Sequence, residues 1–155
     1  MVDAVATVLA IIAVIGSGLV AGVFYAVAAS VLPALMKLPA GRYVEMHREL
    51  GKGYHPMMPL IVNGAMFADI GLIFLAPGQA ARLLFLAAAV LLVGVQGVSH
   101  LANVPINRRL VAVDPNAIPA GWRDPRPQWR GWHRLRTTLA LLAVTVNATA
   151  SAVSV

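Results

Sequence analysis

Polar residues interrupt this chain in only a few places. Four apolar stretches, at about 4–35, 57–76, 80–103 and 137–155, carry almost no charge. Each approaches or exceeds the roughly 20 residues that an α-helix needs to cross a bilayer. The pattern predicts an all-α protein, a four-helix transmembrane bundle forming a single integral membrane domain over 1–155. Between the first two stretches, 41–50 is polar and helix-compatible and is followed by Gly51 and Gly53, residues that commonly end helices. Pro77 and Gly78 predict a tight turn between the second and third. The connection 108–132 holds Pro115, Pro119, Pro125, Pro127, Trp122, Trp129 and Trp132 and is too polar to cross. Its tryptophans suit the headgroup level, either as an interfacial anchor or as a lid over the mouth of the bundle.

Charge supplies an orientation. The net charge is +6, but eleven of the twelve basic residues sit in two connections: Lys37, Arg42, Arg48 and Lys52 in one, Arg108, Arg109, Arg123, Arg126, Arg130, Arg134 and Arg136 in the other. Arg82 alone lies elsewhere. Basic short loops stay cytoplasmic, so both termini are expected outside the plasma membrane. The short helix and the Pro/Trp-rich loop are then cytoplasmic. A positive charge arranged this way reports topology and argues against a nucleic-acid partner. Only 12% of residues are charged, against about 25% in soluble domains. The absence of cysteine excludes disulfides and thiolate chemistry. The first stretch has Asp3 where a signal peptide would be basic, and it is longer than an h-region; it is expected to be a retained helix. Gly18 and Gly22 form a small-xxx-small pair, which serves close packing within the bundle or a homo-oligomer.

The polar residues left inside the apolar stretches are the candidates for chemistry. Gln96, His100, Asn103 and Asn107 are spaced 4, 7 and 11 residues from Gln96, which puts them on one helical stripe. Lipid offers no hydrogen-bond partner, so such a stripe must face the bundle interior or a water-filled cavity. Asn63 and Asp69 join from the second stretch. Asp69 lies near mid-membrane, where a carboxyl is costly, and Asn147 is at a depth to partner it. His133 and Arg136 share a face at the start of the fourth stretch. His47 and His55 lie in the first basic connection, so all four histidines stand on the basic side. Imidazole is both a common metal ligand and a general base near neutral pH, although no metal motif such as H-E-x-x-H is present. His47, His55 and His100 are the expected ligands if a metal is bound.

Asn103-Val-Pro-Ile-Asn107-Arg-Arg-Leu110, followed by Trp129-x-x-Trp132-His133-x-x-Arg136, resembles the signature of the anthrone-oxygenase-like family of integral membrane proteins. Val31-Leu32-Pro33-Ala34-Leu35 and the order of the segments extend the likeness over almost the whole chain. Gly51-Lys-Gly-Tyr-His55-Pro56, with His47 before it, looks like a histidine-rich branch. The resemblance implies a four-helix membrane protein, some of whose relatives oxidise an anthrone to an anthraquinone with O₂.

The expected function is therefore a membrane-embedded oxygenase acting with O₂ on a lipophilic aromatic, anthrone-like molecule. His100, Asn103, Asn107, His133 and Arg136 are the expected catalytic residues, and Asn63, Asp69, Gln96, Trp129 and Trp132 the expected substrate contacts. A histidine base would form a delocalised carbanion, and Asn103, Asn107 or Arg136 would stabilise its oxygen. This route needs no cofactor. Two rivals stand beside it. One is an oxidase whose histidines hold a copper or iron ion; the other is a non-catalytic bundle that scaffolds a partner or passes a small solute.

Overall fold

The computed structural model describes residues 2–154, and among them the fold is all-α. Helix α1 spans Val2–Ala26 and continues through a π-helical turn, Val27–Val31, into the short α2, Leu32–Leu35. Then follow α3 (Ala40–Lys52), α4 (Met57–Leu75) and α5 (Gln79–Val98). Helix α5 passes through a second π turn, Ser99–Asn103, into α6 (Val104–Val111), and α7 covers Arg126–Ala152. The turn from α4 to α5 uses Gly78 at φ 77°, a left-handed conformation that glycine adopts without steric cost.

Helix α1 packs on α4 and α7, and α5 packs on the same two helices. Small side chains allow the close approach: Ala13, Ala65, Ala68, Ala88, Ala140, Ala143 and Ala150 are all buried. The close approach of α1 to α4 falls at Gly16, where an added Cβ would stand 2.9 Å from that of Ala65. Gly18 has more room, and Gly22 faces nothing within 4 Å. The outward faces carry exposed Phe67, Phe74, Val90 and Leu101, apolar surface suited to lipid rather than water.

Three continuous helical stretches, Asp3–Leu35, Met57–Leu75 and Gln79–Val111, are long and apolar enough to cross a membrane. The third extends past the expected boundary at 103. Pro105 does not end it, because the π turn before α6 re-routes the backbone hydrogen bonds around the proline, with Val104 N–H reaching Ser99 O. Helix α7 is not among the three. It also starts at Arg126 rather than near 137, so Trp129, Trp132 and His133 are helical residues and not part of a loop.

The two π turns share a cause. Each precedes an X-Pro step, Leu32-Pro33 and Val104-Pro105. The N–H of Leu32 reaches Val27 O, and that of Val104 reaches Ser99 O, five residues back in each case. Such longer bonds help to re-satisfy carbonyls near a proline that has no N–H to offer. Each turn also inserts a residue into the helical register. The consequence for the polar stripe is that Asn103 is buried and leaves the face on which Gln96, His100 and Asn107 line the cavity described below.

Helix α3 closes the end of the bundle that carries the basic connections. Tyr43 and Val44 bury against Val27, Leu32, Leu35, Ile106, Leu110 and Trp129. Arg48 donates to the carbonyls of Leu110, Val111 and Val113, pinning α3 to the end of α6. Arg126 pairs with Asp124 at 2.6 Å, donates to Leu38 O at 2.7 Å and lies over the Tyr43 ring. Gly41 abuts the Pro115 carbonyl, with no space there for a Cβ.

Candidate active site

A cavity of about 240 Å³ is lined by both π turns together with residues of α1, α3, α4, α5, α6 and α7. This is close to the roughly 300 Å³ at which small-molecule pockets usually begin. Its wall is mostly apolar, with Phe24, Val27, Met58, Val62 and Trp129 contributing. Into it come His47, His55, His100 and His133, with Gln96, Ser99, Asn107 and Arg136.

Arg136 stands out among these polar residues. Its Nε donates to His133 Nδ1 at 3.0 Å and its Nη1 to Ser99 Oγ at 3.4 Å. The guanidinium carbon lies 4.5 Å from the centre of the Phe24 ring and 5.5 Å from that of Trp129. No carboxylate pairs with it among the described residues. A half-buried cation held by ring faces and a neutral imidazole retains N–H groups and charge for an anionic oxygen.

The histidines are arranged around Trp129. Its indole stacks on His133, with centroids 4.8 Å apart and planes at 13°. It meets His47 edge-on at 5.4 Å and 86°. His133 is fully buried and both its nitrogens are engaged. Arginine can only donate, so Nδ1 accepts; the Phe24 carbonyl can only accept, so Nε2 carries the hydrogen over the 3.0 Å between them. This neutral tautomer leaves no lone pair on His133 for substrate or metal.

Asn107 Oδ1 receives Trp129 Nε1–H at 2.8 Å and stands 3.0 Å from His47 Nε2. An indole nitrogen only donates, so the Asn107 atom against it is the carbonyl oxygen. His47 must then also donate to that oxygen through Nε2–H. Burial lowers the His47 pKa, with the positive charge of Arg136 adding to the effect and the Asn107 hydrogen bond opposing it.

The remaining expected residues divide into three groups. Gln96 lines the cavity and donates to Asn63 Oδ1 at 2.7 Å, so Asn63 reaches the site through it. Asn103 is buried, donates to Trp129 O at 3.3 Å and does not line the cavity. Trp132 is exposed, and Asp69 is fully buried away from the cavity, where Asn147 donates to it at 3.4 Å and also to Ser17. Among the described residues no three of His, Asp and Glu come together as metal ligands, and His47, His55 and His100 line the cavity from separate elements. Convergence of the wider set is blocked by Trp129, whose indole separates His47 from His133. Phe24, whose ring supports Arg136 and whose carbonyl orients His133, had no signal in the sequence.

No curated protein and no solved structure matches the chain. A family model described as anthrone oxygenase matches residues 48–146, a stretch that holds α4, α5, α6, most of α7 and, within the cavity wall, His55, His100, Asn107, Trp129, His133 and Arg136. That match covers well over half of the sequence, and the chain belongs to the anthrone oxygenase family.

Proposed function

We propose that this protein is a membrane-embedded oxygenase that converts an anthrone-like, lipophilic aromatic molecule to the corresponding quinone with O₂. The observation that carries the reading is Arg136, a cation on the wall of an apolar cavity that has no carboxylate partner among the described residues. An anthrone has a CH₂ between two aromatic rings, conjugated to a carbonyl. Loss of a proton from that CH₂ places negative charge on the carbonyl oxygen. Arg136, oriented before the reaction begins, would stabilise that charge in a site of low dielectric. A histidine of the cavity wall would take the proton.

The remaining steps need no external reductant. The carbanion gives an electron to O₂, and the two radicals combine into a peroxide at the former CH₂ carbon. Protonation gives the hydroperoxide. Removal of the second C–H proton breaks the O–O bond, forms the new C=O and releases hydroxide, which becomes water. One oxygen atom of O₂ enters the product and the other leaves as water.

In this reading Gln96, held by Asn63, and Trp129 contact substrate. Asn107 and His133 hold the groups around it, and His100 lines the way in. His47 and His55 mark a histidine-rich branch of the family. The chain is a single membrane domain with α7 as a fourth span, supported by the packing of α7 between α1 and α5. The basic connections face the cytoplasm across the plasma membrane, as the charge asymmetry supports. The test is turnover of anthrone under ¹⁸O₂ by purified protein. One labelled oxygen per anthraquinone, formed in proportion to protein, is expected; a rate equal to autoxidation in buffer would overturn the reading.

A further inference from the structure

Four imidazoles line the cavity, but only one is held through a single nitrogen. His133 has both nitrogens occupied. His55 and His100 are exposed, and no hydrogen bond fixes a tautomer for either among the described residues. His47 is half-buried, its Nε2–H is fixed on Asn107 Oδ1, and Asn107 is itself fixed by the indole N–H of Trp129. In neutral His47 the lone pair must therefore be on Nδ1.

We infer that His47 is the general base of the anthrone oxidation, acting through Nδ1, and that Asn107 is the positioning residue that selects this tautomer, with Trp129 holding Asn107 in turn. The inference rests on the oxygenase reading above and assigns its proton transfers. The C–H bond of the substrate breaks toward His47 Nδ1, and its electron pair moves into the enolate facing Arg136. The imidazolium keeps its Nε2–H on Asn107 and returns the Nδ1 proton to the peroxide. Neutral again, His47 takes the second C–H proton as the O–O bond breaks and then passes it to the departing hydroxide. Every proton leaves through one nitrogen, while the opposite nitrogen never changes partner. An oriented imidazole whose second nitrogen is anchored by an acceptor is the arrangement that general-base catalysis requires.

Several groups bear on the titration of His47. Tyr43, on the same helix, has its ring centre 5.4 Å away. Asn107 on α6 is neutral. On α7, Arg136 opposes protonation, and His133 lies beyond the Trp129 ring in its neutral form.

Anaerobic exchange of the anthrone CH₂ hydrogens with D₂O isolates the first proton transfer from everything O₂ does. Wild-type protein is expected to accelerate this exchange over buffer. His47→Gln should remove the acceleration. Asn107→Leu, which offers no acceptor, should lower it at least tenfold. Asn107→Asp keeps an acceptor for both N–H groups, and its negative charge favours imidazolium. It should recover exchange to within several-fold of wild type and move the midpoint of the pH profile upward, a shift that a merely structural role would not produce. Should Asn107→Leu fail to fold, His47→Gln and Asn107→Asp carry the test. The inference is overturned if His47→Gln or folded Asn107→Leu exchanges like wild type, or if Asn107→Asp leaves the midpoint in place. A wild type that oxidises anthrone while His47→Gln does so equally refutes this assignment alone; a wild type that accelerates neither exchange nor oxidation refutes the oxygenase reading with it.

Discussion

Arg136 donates its Nε–H to Nδ1 of His133 at 3.0 Å, so a cation and a neutral imidazole three residues apart on α7 form one unit. The opposite nitrogen of His133 is tied to the Phe24 carbonyl on α1, which fixes the unit across two helices. The buried histidine thus orients the charge on which the proposed chemistry depends.

Replacing His133 with Phe keeps a ring to stack on Trp129 but removes the acceptor for Arg136 and a donor for Phe24. Anthrone turnover is expected to fall by about tenfold or more, in line with the loss of a preorganised electrostatic contact. The two lost hydrogen bonds should together cost on the order of 2 kcal/mol, a shift of about 4–8 °C in the melting temperature. Parallel assays of turnover and melting on His133→Phe check both numbers; unchanged turnover contradicts the role given to His133.

Acid should weaken the fold through His47. Its pKa in the folded protein is lowered by burial, so the unfolded chain binds the proton more readily. Stability is then expected to be full above about pH 6.5, the usual histidine value, and to fall as pH drops below it toward the lowered folded value. Melting temperatures between pH 7.5 and 5 should show this decline, and His47→Gln should flatten it.

Gly41 provides a test of how α3 is docked. A Cβ at this position meets the Pro115 carbonyl, and backbone cannot move aside as a flexible side chain can. Gly41→Ala is expected to cost roughly 1–3 kcal/mol, as overpacking does. The melting temperature should fall by several degrees, together with turnover, because α3 carries His47. An unchanged melting temperature would contradict the close approach.

The absence of native cysteine makes topology directly measurable. In cells, Ala4→Cys and Ser154→Cys should react with a membrane-impermeant maleimide. Gly121→Cys, in the exposed connection before α7, should react only after permeabilisation. Reaction of Ala4→Cys and Ser154→Cys from opposite sides would mean an odd number of spans and remove α7 as a crossing helix.

The apolar segments and the histidine-bearing end were legible in the sequence because lipid and water impose strong, local demands on composition. Asn107, Trp129, His133 and Arg136 were legible as candidates for the same reason, since polar residues at helix ends are few. Their roles were not. The sequence-level stripe assumed an uninterrupted α-helix, and the π turn at Ser99–Asn103 moved Asn103 into a buried contact with Trp129. Trp129 and Trp132 read alike as interfacial aromatics; only the start of α7 at Arg126 places one in the cavity wall and the other on the exterior. Four histidines on one side suggested a ligand cluster, but which nitrogens are already engaged depends on Asn107, Arg136 and the Phe24 carbonyl, partners up to 109 residues distant along the chain.

The oxygenase reading is tested most directly by O₂ uptake with anthrone in an oxygen electrode, comparing wild type with Arg136→Gln in the same detergent. Wild type is expected to consume one O₂ per anthraquinone formed, well above the autoxidation rate. Arg136→Gln should lose on the order of 10²-fold or more, the scale of removing a preorganised group that stabilises an oxyanion, while keeping its elution volume and helical content. Equal O₂ uptake by folded wild type and folded Arg136→Gln would contradict the account.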